Sequence, residues 1–506
     1  MLAADRCSGD LSARLAEGRK SVQHEQKGPV GAHEVDAVVV GGGMSGIRLT
    51  IALKKQGLHR IALLEKGEHL GGVWNHNRYP GVACDVPSPT YCFGFALNDW
   101  SRLYPPGAEI RDYFERIAIE NDVVRHVRFG TELIDAAWDD SAKKWLCQTN
   151  KGHFRAQFLI LASGVFSRES VPKIPGAEKF TGQSFHSMDW PTDFDPAGRR
   201  IAVVGTGASA IQFVPQIQPQ VERLVVLQRT PPWIVPKPNP ENKPVSRRRA
   251  QLRQRILRAF IYSILEMVVY TVKYPRLAAL PQWAAQNHLN KQVSDPELRK
   301  ALTPDYKAGC KRLLLSSDYY PAIVSSNVDY VPSALREIRE NTVVATDGRE
   351  FEVDTIIWGT GFDFGMRVFE RVRGRDGRTL AERFAGTPRT YRGTTVVGCP
   401  NLFAIAGHNA GTASVPIGVE AQAEYVASAV RTMRARGFET VEPRHDAEET
   451  WVRRKDSELA GWIFNVGGCN SYYLNDKGVN VAAWPGRPSQ MVRALRSFDI
   501  ENYVAS

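Results

Sequence analysis

Val35-Asp-Ala-Val-Val-Val-Gly-Gly-Gly-Met-Ser-Gly46 is a short, β-branched apolar run that stops in glycines. Such a run reads as a buried parallel strand. Gly41, Gly43 and Gly46 satisfy G-x-G-x-x-G where a helix over 47–56 begins. The first glycine permits a tight turn, the next lets backbone approach a pyrophosphate, and the last lets the helix lie on the strand. Phosphate then meets free N–H groups at the helix N-terminus. A second strand, Ile61–Leu64, ends at Glu65, nineteen residues past Gly46. A carboxylate there binds the ribose hydroxyls and repels a 2′-phosphate. FAD or NAD suits this turn, and NADP does not.

The same order recurs at Arg200-Ile-Ala-Val-Val-Gly205, with Gly207 and Ser209 in an alanine-ended turn, Gly205-Thr-Gly-Ala-Ser-Ala210. A helix follows, and the next strand, Leu224–Leu227, runs into Gln228-Arg229-Thr230 with no acid. The planar, permanently charged fork of Arg229 suits a 2′-phosphate, with Thr230 beside it. One turn repels that phosphate and the other invites it, so FAD and NADPH are the expected pair. The fold class expected is α/β, with two Rossmann-like dinucleotide-binding domains (FAD and NADP) and a helical insertion.

The chain of 506 residues is long enough for two or three domains, and its 43% hydrophobic and 24% charged content is ordinary for a globular protein. Its net charge of +11 is high, and six arginines fall between Arg247 and Arg258. No nucleic-acid motif accompanies them, so no nucleic-acid partner is expected and a basic solvated surface is the reading. Seven scattered cysteines without a CxxC pair argue against a disulfide framework and a structural zinc, and against the dithiol of a disulfide reductase. No metal is expected, and a reducing cytoplasm fits best. The polar N-terminus does not read as a signal peptide.

Leu252, Ile256, Leu257, Phe260, Ile261, Ile264, Leu265, Val268, Val269 and Val272 recur at helical spacings, with Arg258, Tyr262 and Glu266 expected on the opposite side. This predicts a long amphipathic helix that packs a helical insertion onto the sheet. A membrane-surface or lid role is the alternative, so weak surface association stays open. Glu266 interrupts the run and argues against an integral membrane span.

Between the two turns stands Phe180-Thr-Gly-Gln-Ser-Phe-His-Ser-Met-Asp-Trp-Pro191. The pattern F-x-G-x-x-x-H-S-x-x-W-P resembles the fingerprint of the type I Baeyer–Villiger monooxygenases, flavoenzymes that insert oxygen beside a ketone. Gly71-Gly72-Val73-Trp74 followed by Tyr79-Pro80-Gly81-Val82-Ala83-Cys84-Asp85 resembles a second signature of that family. Ile356 to Asp363 and Pro400 to Gly407 resemble two further family segments, so the likeness runs from about Val35 to at least Gly411.

The resemblance implies roles. Phe180, Gly182, His186 and Trp190 belong to the fingerprint, with His186 coupling the motions of the two cofactor domains. Gly72, Trp74 and Asp85 lie at the flavin. Cys310-Lys311-Arg312-Leu313 resembles the segment with the active-site arginine, which implies Arg312 as the catalytic cation, Asp85 as its partner, and Lys311 as a second contact to the NADPH 2′-phosphate. The implied reaction inserts one oxygen atom from O2 next to a ketone carbonyl, through a C4a-peroxyflavin, giving an ester or lactone. A fixed guanidinium stabilises anionic oxygen without protonating it. The alternative is a flavin-containing monooxygenase acting on nitrogen or sulfur, which usually lacks the Trp190-Pro191 ending.

The expected division is a flexible N-terminal tail over 1–33 and an FAD-binding domain over 34–168. An NADP-binding domain follows over 169–235, then the helical insertion over 236–309. The NADP-binding domain resumes over 310–368, and the second FAD-binding segment with the C-terminal region covers 369–506.

Overall fold

A computed structural model describes residues 32–243 and 246–506. The tail expected over 1–33 lies outside them except for its last two residues, and Cys7 lies outside them altogether.

The first glycine turn hangs from an eight-stranded sheet. Its order is Val372–Arg373, Leu133–Asp139, Lys144–Thr149, Gly152–Leu161, His33–Val40, Ile61–Leu64 and Val127–Arg128, and Leu402–Ala404 also pairs with Gly152–Leu161. His33–Val40 is parallel to both neighbours, with Val38 opposite Ala62 on one side and Leu159 on the other. Ala37 to Val39 and Ala62 to Leu64 are buried almost completely. Strands buried on both faces read as continuous apolar runs, which is why this stretch carries no alternation. The helix after the turn, Met44–Lys55, lies under the 22-residue helix Val415–Arg436. Arg48, itself buried, pairs with Glu424 of that helix.

The second turn hangs from a five-stranded, all-parallel sheet in the order Val328–Val331, Arg223–Leu227, Arg200–Val204, Thr355–Trp358 and Gln183–His186. Helix Ala210–Ile217 covers one face. A small antiparallel meander, Leu335–Ile338, Thr342–Ala345 and Glu350–Glu352, packs its Val343, Ala345 and Phe351 against the other. The fold is therefore α/β with two dinucleotide-binding sheets, as the two turns predict.

The long amphipathic helix is present as Arg247–Lys273, but two expectations about it need correcting. It does not pack on a sheet. Ile261 and Leu265 pack against Ile417, and Val269 packs against Leu459 and Trp462, so the helix lies along the N- and C-terminal segments. The polar side is also inverted. Arg258 donates to the carbonyls of Pro89 and Cys92, each at 2.9 Å, and Glu266 accepts from the Ser489 amide and hydroxyl at 2.6 and 2.7 Å. These groups line the packed side, while Leu252, Ile256, Phe260, Ile264 and Val268 stand exposed. A helix with two apolar stripes has no unique inward face until its neighbours are known.

Candidate active site

The first turn is built so that nothing but hydrogen fits. Gly41 has φ +110°, and a side chain there would stand 2.5 Å from the Ala162 carbonyl oxygen. A methyl at Gly46 would lie 1.9 Å from the Gly41 oxygen. Gly43 faces Gly72 across the turn, so each leaves the other's backbone bare. Glu65 is 5% exposed, and its two oxygens accept the Gly42 and Gly67 amides at 2.8 and 2.7 Å. That arrangement locks the acid at the strand end and leaves further lone pairs for hydroxyl donors. Helix Met44–Lys55 has no side-chain cap and no acid in its first turn, so its leading N–H groups keep their capacity for an anion. Trp74 sits edge-on to Tyr91, with its indole N–H donating to the phenol at 3.2 Å. These residues fit a flavin dinucleotide: a bare backbone for the pyrophosphate, an acid whose charge repels a 2′-phosphate, and an aromatic pair after the turn.

The second turn repeats the steric logic. Gly205 has φ +95°, and a side chain would stand 2.6 Å from the Gly359 carbonyl oxygen. Gly207 has only that oxygen nearby, and Ser209 precedes the uncapped helix Ala210–Ile217. Buried Gln228 bonds the Thr206 hydroxyl on one side and the Tyr330 phenol on the other, tying the turn to the sheet edge. Beyond it Arg229 is exposed and Thr230 half-buried. Lys311 stands near Arg229: burial, then the Arg229 charge, pull its pKa down, with only Asp305 opposing. Among the described residues neither cation has an ion pair. Two such cations at the strand end fit the 2′-phosphate of NADPH.

Asp85 and Arg312 meet between the turns. Arg312 Nη2 donates to Asp85 Oδ1 at 2.6 Å. The Asp85 charge pushes the guanidinium pKa still higher, so the group is a permanent cation. The loop that carries Asp85 is clamped to the second fold by Gln212, whose oxygen accepts from the Tyr79 hydroxyl at 3.0 Å and whose amide donates to the Ala83 carbonyl at 3.1 Å. Gly81 fits against the Gln212 carbonyl with no room for a side chain, a contact of 2.6 Å for an added Cβ. The spacing from Tyr79 to Asp85 thus serves a joint: one end grips the helix of the second turn, the other presents the carboxylate.

Four residues here are given no role by the sequence. The rings of Tyr472 and Tyr473 lie 4.4 Å apart, tilted by 31°, and the Arg312 charge acts on the Tyr473 phenol. Lys237 lies over the Tyr104 ring at 5.4 Å within electrostatic reach of Asp85. Gln212 gives no local signal at all. The cysteine expectation is also corrected. Cys310, directly before Lys311-Arg312, forms a disulfide with Cys469, three residues before Tyr472. Cys84, Cys92, Cys147 and Cys399 are free and buried. Sequence spacing cannot show this bond, because 159 residues separate its partners.

The fingerprint supplies the sheet edge. Gln183–His186 pairs with Thr355–Trp358, His186 opposite Trp358, and Gly182 presses on the Asp354 carbonyl where a Cβ would lie at 2.2 Å. Half-buried Phe180 joins the cluster on the meander side. Trp190 packs against Phe185, Phe194 and Phe213, and Phe213 belongs to the helix of the second turn. His186 is 4% exposed, its Nδ1 accepts the Met188 amide at 3.2 Å, and its ring stands edge-on to Phe362. Burial lowers its pKa, so the ring is neutral at pH 7.

A family model described as flavin-binding monooxygenase-like matches residues 34–373. A Baeyer–Villiger monooxygenase of Streptomyces coelicolor is 40% identical over 491 residues, 95% of this chain and 94% of the relative. One of Pseudomonas aeruginosa is 38% identical over 96% of this chain and 94% of the relative. The crystal structure of a cyclohexanone monooxygenase from Rhodococcus sp. Phi1 bound to NADP+ superposes with a TM-score of 0.85 at 25% identity, covering 94% of this chain and all of that one. With both turns, the fingerprint and the Asp85–Arg312 pair in the same frame, the chain belongs to the flavin-binding monooxygenase-like family, among its Baeyer–Villiger monooxygenases.

Proposed function

We infer that this protein is an FAD- and NADPH-dependent Baeyer–Villiger monooxygenase that inserts one atom of O2 beside a ketone carbonyl, giving an ester or lactone. The contact that carries the reading is the 2.6 Å bond from Arg312 to Asp85. Bound flavin, reduced by NADPH, supplies the activated oxygen. Arg312 offers fixed positive charge to anionic oxygen, including the charge that develops on the substrate carbonyl as it becomes tetrahedral. Asp85 holds the guanidinium in place and keeps its proton from being given up. Gly41, Gly43, Gly46, Glu65, Gly72 and Trp74 hold FAD, while Gly205, Gly207, Ser209, Arg229, Thr230 and Lys311 hold NADPH. His186 couples the two halves through the edge strand of the second sheet.

The division into 34–168 with 369–506 for FAD, and 169–235 with 310–368 for NADPH, follows the strands that each sheet collects. The insertion at 236–309 is the helical layer. The substrate is a small-molecule ketone and the compartment the cytoplasm, where NADPH is kept available. The curated relatives favour the ketone reaction over oxidation at nitrogen or sulfur.

The test is NADPH oxidation by FAD-loaded enzyme against ketones and thioethers, with products identified by mass spectrometry. A ketone that gains one oxygen as ester or lactone supports the reading. Sulfoxides or N-oxides with every ketone untouched would move the protein to the heteroatom oxidases.

A further inference from the structure

The stretch 247–292 contains nine basic residues and one acid, Glu266, and so holds eight of the eleven net positive charges of the whole chain. Its single acid is turned inward onto Ser489. Two of its arginines are used internally: Arg253 pairs with Asp99 at 2.7 Å and Arg258 with Glu420 at 3.2 Å. Arg248, Arg249, Arg255, Lys273 and Arg276 are exposed and, among the described residues, have no ion pair. Arg248 and Arg255 are two turns apart, and Lys273 is a further five turns along, so the three share one line down the helix.

Beside that line runs an apolar face that has no partner among the described residues. Leu252, Ile256, Phe260 and Met267 are 59%, 60%, 63% and 64% exposed, with Ile264 and Val268 at 43%. The burial pattern sets this face apart from the packed stripe of Ile261, Leu265 and Val269. Beyond the helix end Tyr274, Leu277, Leu280 and Trp283 remain exposed, Trp283 at 69%. Soluble monomers rarely leave so many large apolar side chains in one run of surface. The 27-residue helix is about 40 Å long.

We propose that this face docks on an anionic phospholipid bilayer, with the helix Arg247–Lys273 lying in the plane of the headgroups. An apolar face with Arg and Lys along its margin is the chemistry of an interfacial helix, which buries its apolar side below the headgroups and keeps its cations on their phosphates. Among the described residues no helix is long and apolar enough to cross a membrane, so the contact is one of surface depth. Charge decides against a second copy of the chain. Two such faces would bring unpaired arginines together with no acid to answer them, because Glu266 is occupied. It also decides against nucleic acid, whose phosphates would meet the arginines but leave the Leu, Ile, Phe and Met row against water.

The experiment is vesicle flotation of the FAD-loaded full-length enzyme, with phosphatidylcholine alone or with about a third phosphatidylglycerol, at low and high salt. Selective binding to the anionic vesicles is expected, weakened by salt because surface charge attraction is screened. Arg248→Glu with Arg255→Glu lowers partition roughly tenfold or more. Phe260→Ser with Met267→Ser lowers it comparably and leaves flavin absorbance and turnover of a water-soluble ketone unchanged, since these side chains are mostly exposed and belong to none of the buried clusters among the described residues. Wild-type protein that ignores both vesicle compositions overturns the proposal, as does equal binding to both that neither double variant reduces. Sedimentation that shows a dimer dissolved by Phe260→Ser with Met267→Ser would overturn it in favour of a second copy.

Discussion

Arg312 donates to Asp85 at 2.6 Å across 227 residues of chain, and the carboxylate it meets is held by a loop clamped to the other sheet through Gln212. The cation thus depends on both halves of the molecule for its position. Arg312→Ala is expected to cut ketone oxygenation by roughly a hundredfold to a thousandfold, the usual cost of removing one preorganised donor. Flavin reduction by NADPH should persist, read by stopped-flow bleaching under argon. Equal loss of both half-reactions would remove the assigned role.

Arg229 and Lys311 stand together at the strand end, and among the described residues neither has an ion pair. Arg229→Ala should raise the KM for NADPH by about tenfold to a hundredfold, the size of one charged hydrogen bond, and leave that for NADH unchanged. Steady-state kinetics with the two coenzymes decides it, and a parallel rise in both KM values would show that the arginine does not read the phosphate.

The two turns can be broken separately. Gly46→Ala places a methyl 1.9 Å from the Gly41 oxygen, and Gly205→Ala one 2.6 Å from the Gly359 oxygen at φ +95°. The first variant should purify colourless. The second should retain its yellow flavin but fail to bind NADP+ in calorimetry.

His126 and His408 are buried, and desolvation is the main cause that lowers each pKa from 6.5 to about 4. The unfolded chain therefore takes up these protons first. Stability from this source is complete above pH 6.5 and declines as the pH falls toward 4, by up to about 3 kcal/mol per histidine. Urea midpoints measured between pH 4.5 and 8 should show the decline, and His408→Gln should flatten it. A midpoint independent of pH below 6.5 would contradict this.

Cys310–Cys469 ties the Lys311-Arg312 segment to the one carrying Tyr472 and Tyr473. Cys469→Ser is expected to lower the melting temperature and to raise the fraction of NADPH oxidised without ester formation, because the tyrosines are released from the arginine. Flavin reduction should keep its rate. Unchanged coupling in the variant would make the bond purely structural.

Both nucleotide turns, the strand-end contrast of Glu65 with Arg229, and the long helix were legible because each rests on residues close in sequence. Strand, glycine and acid follow one another within about thirty residues, and backbone sterics at Gly41 and Gly205 leave few alternatives. Arg312 and Asp85 were reached through family likeness, since nothing in a Lys-Arg pair or a loop aspartate announces a partner so far away. Tyr472 and Tyr473 were visible as residues but had no role until the chain brought them beside Arg312.

The sequence by itself determined the two sheets, the FAD and NADPH pair and the existence of an amphipathic helix, because periodicity and turn sterics are local. Only the tertiary structure decided which stripe of that helix is covered, which loop Gln212 grips, and which two of the cysteines join. Those outcomes depend on contacts between distant segments, as the separations of 129, 159 and 227 residues at Gln212, the disulfide and Arg312 show. Such contacts are selected by the packing of the whole chain, and no short window of residues contains both sides of them.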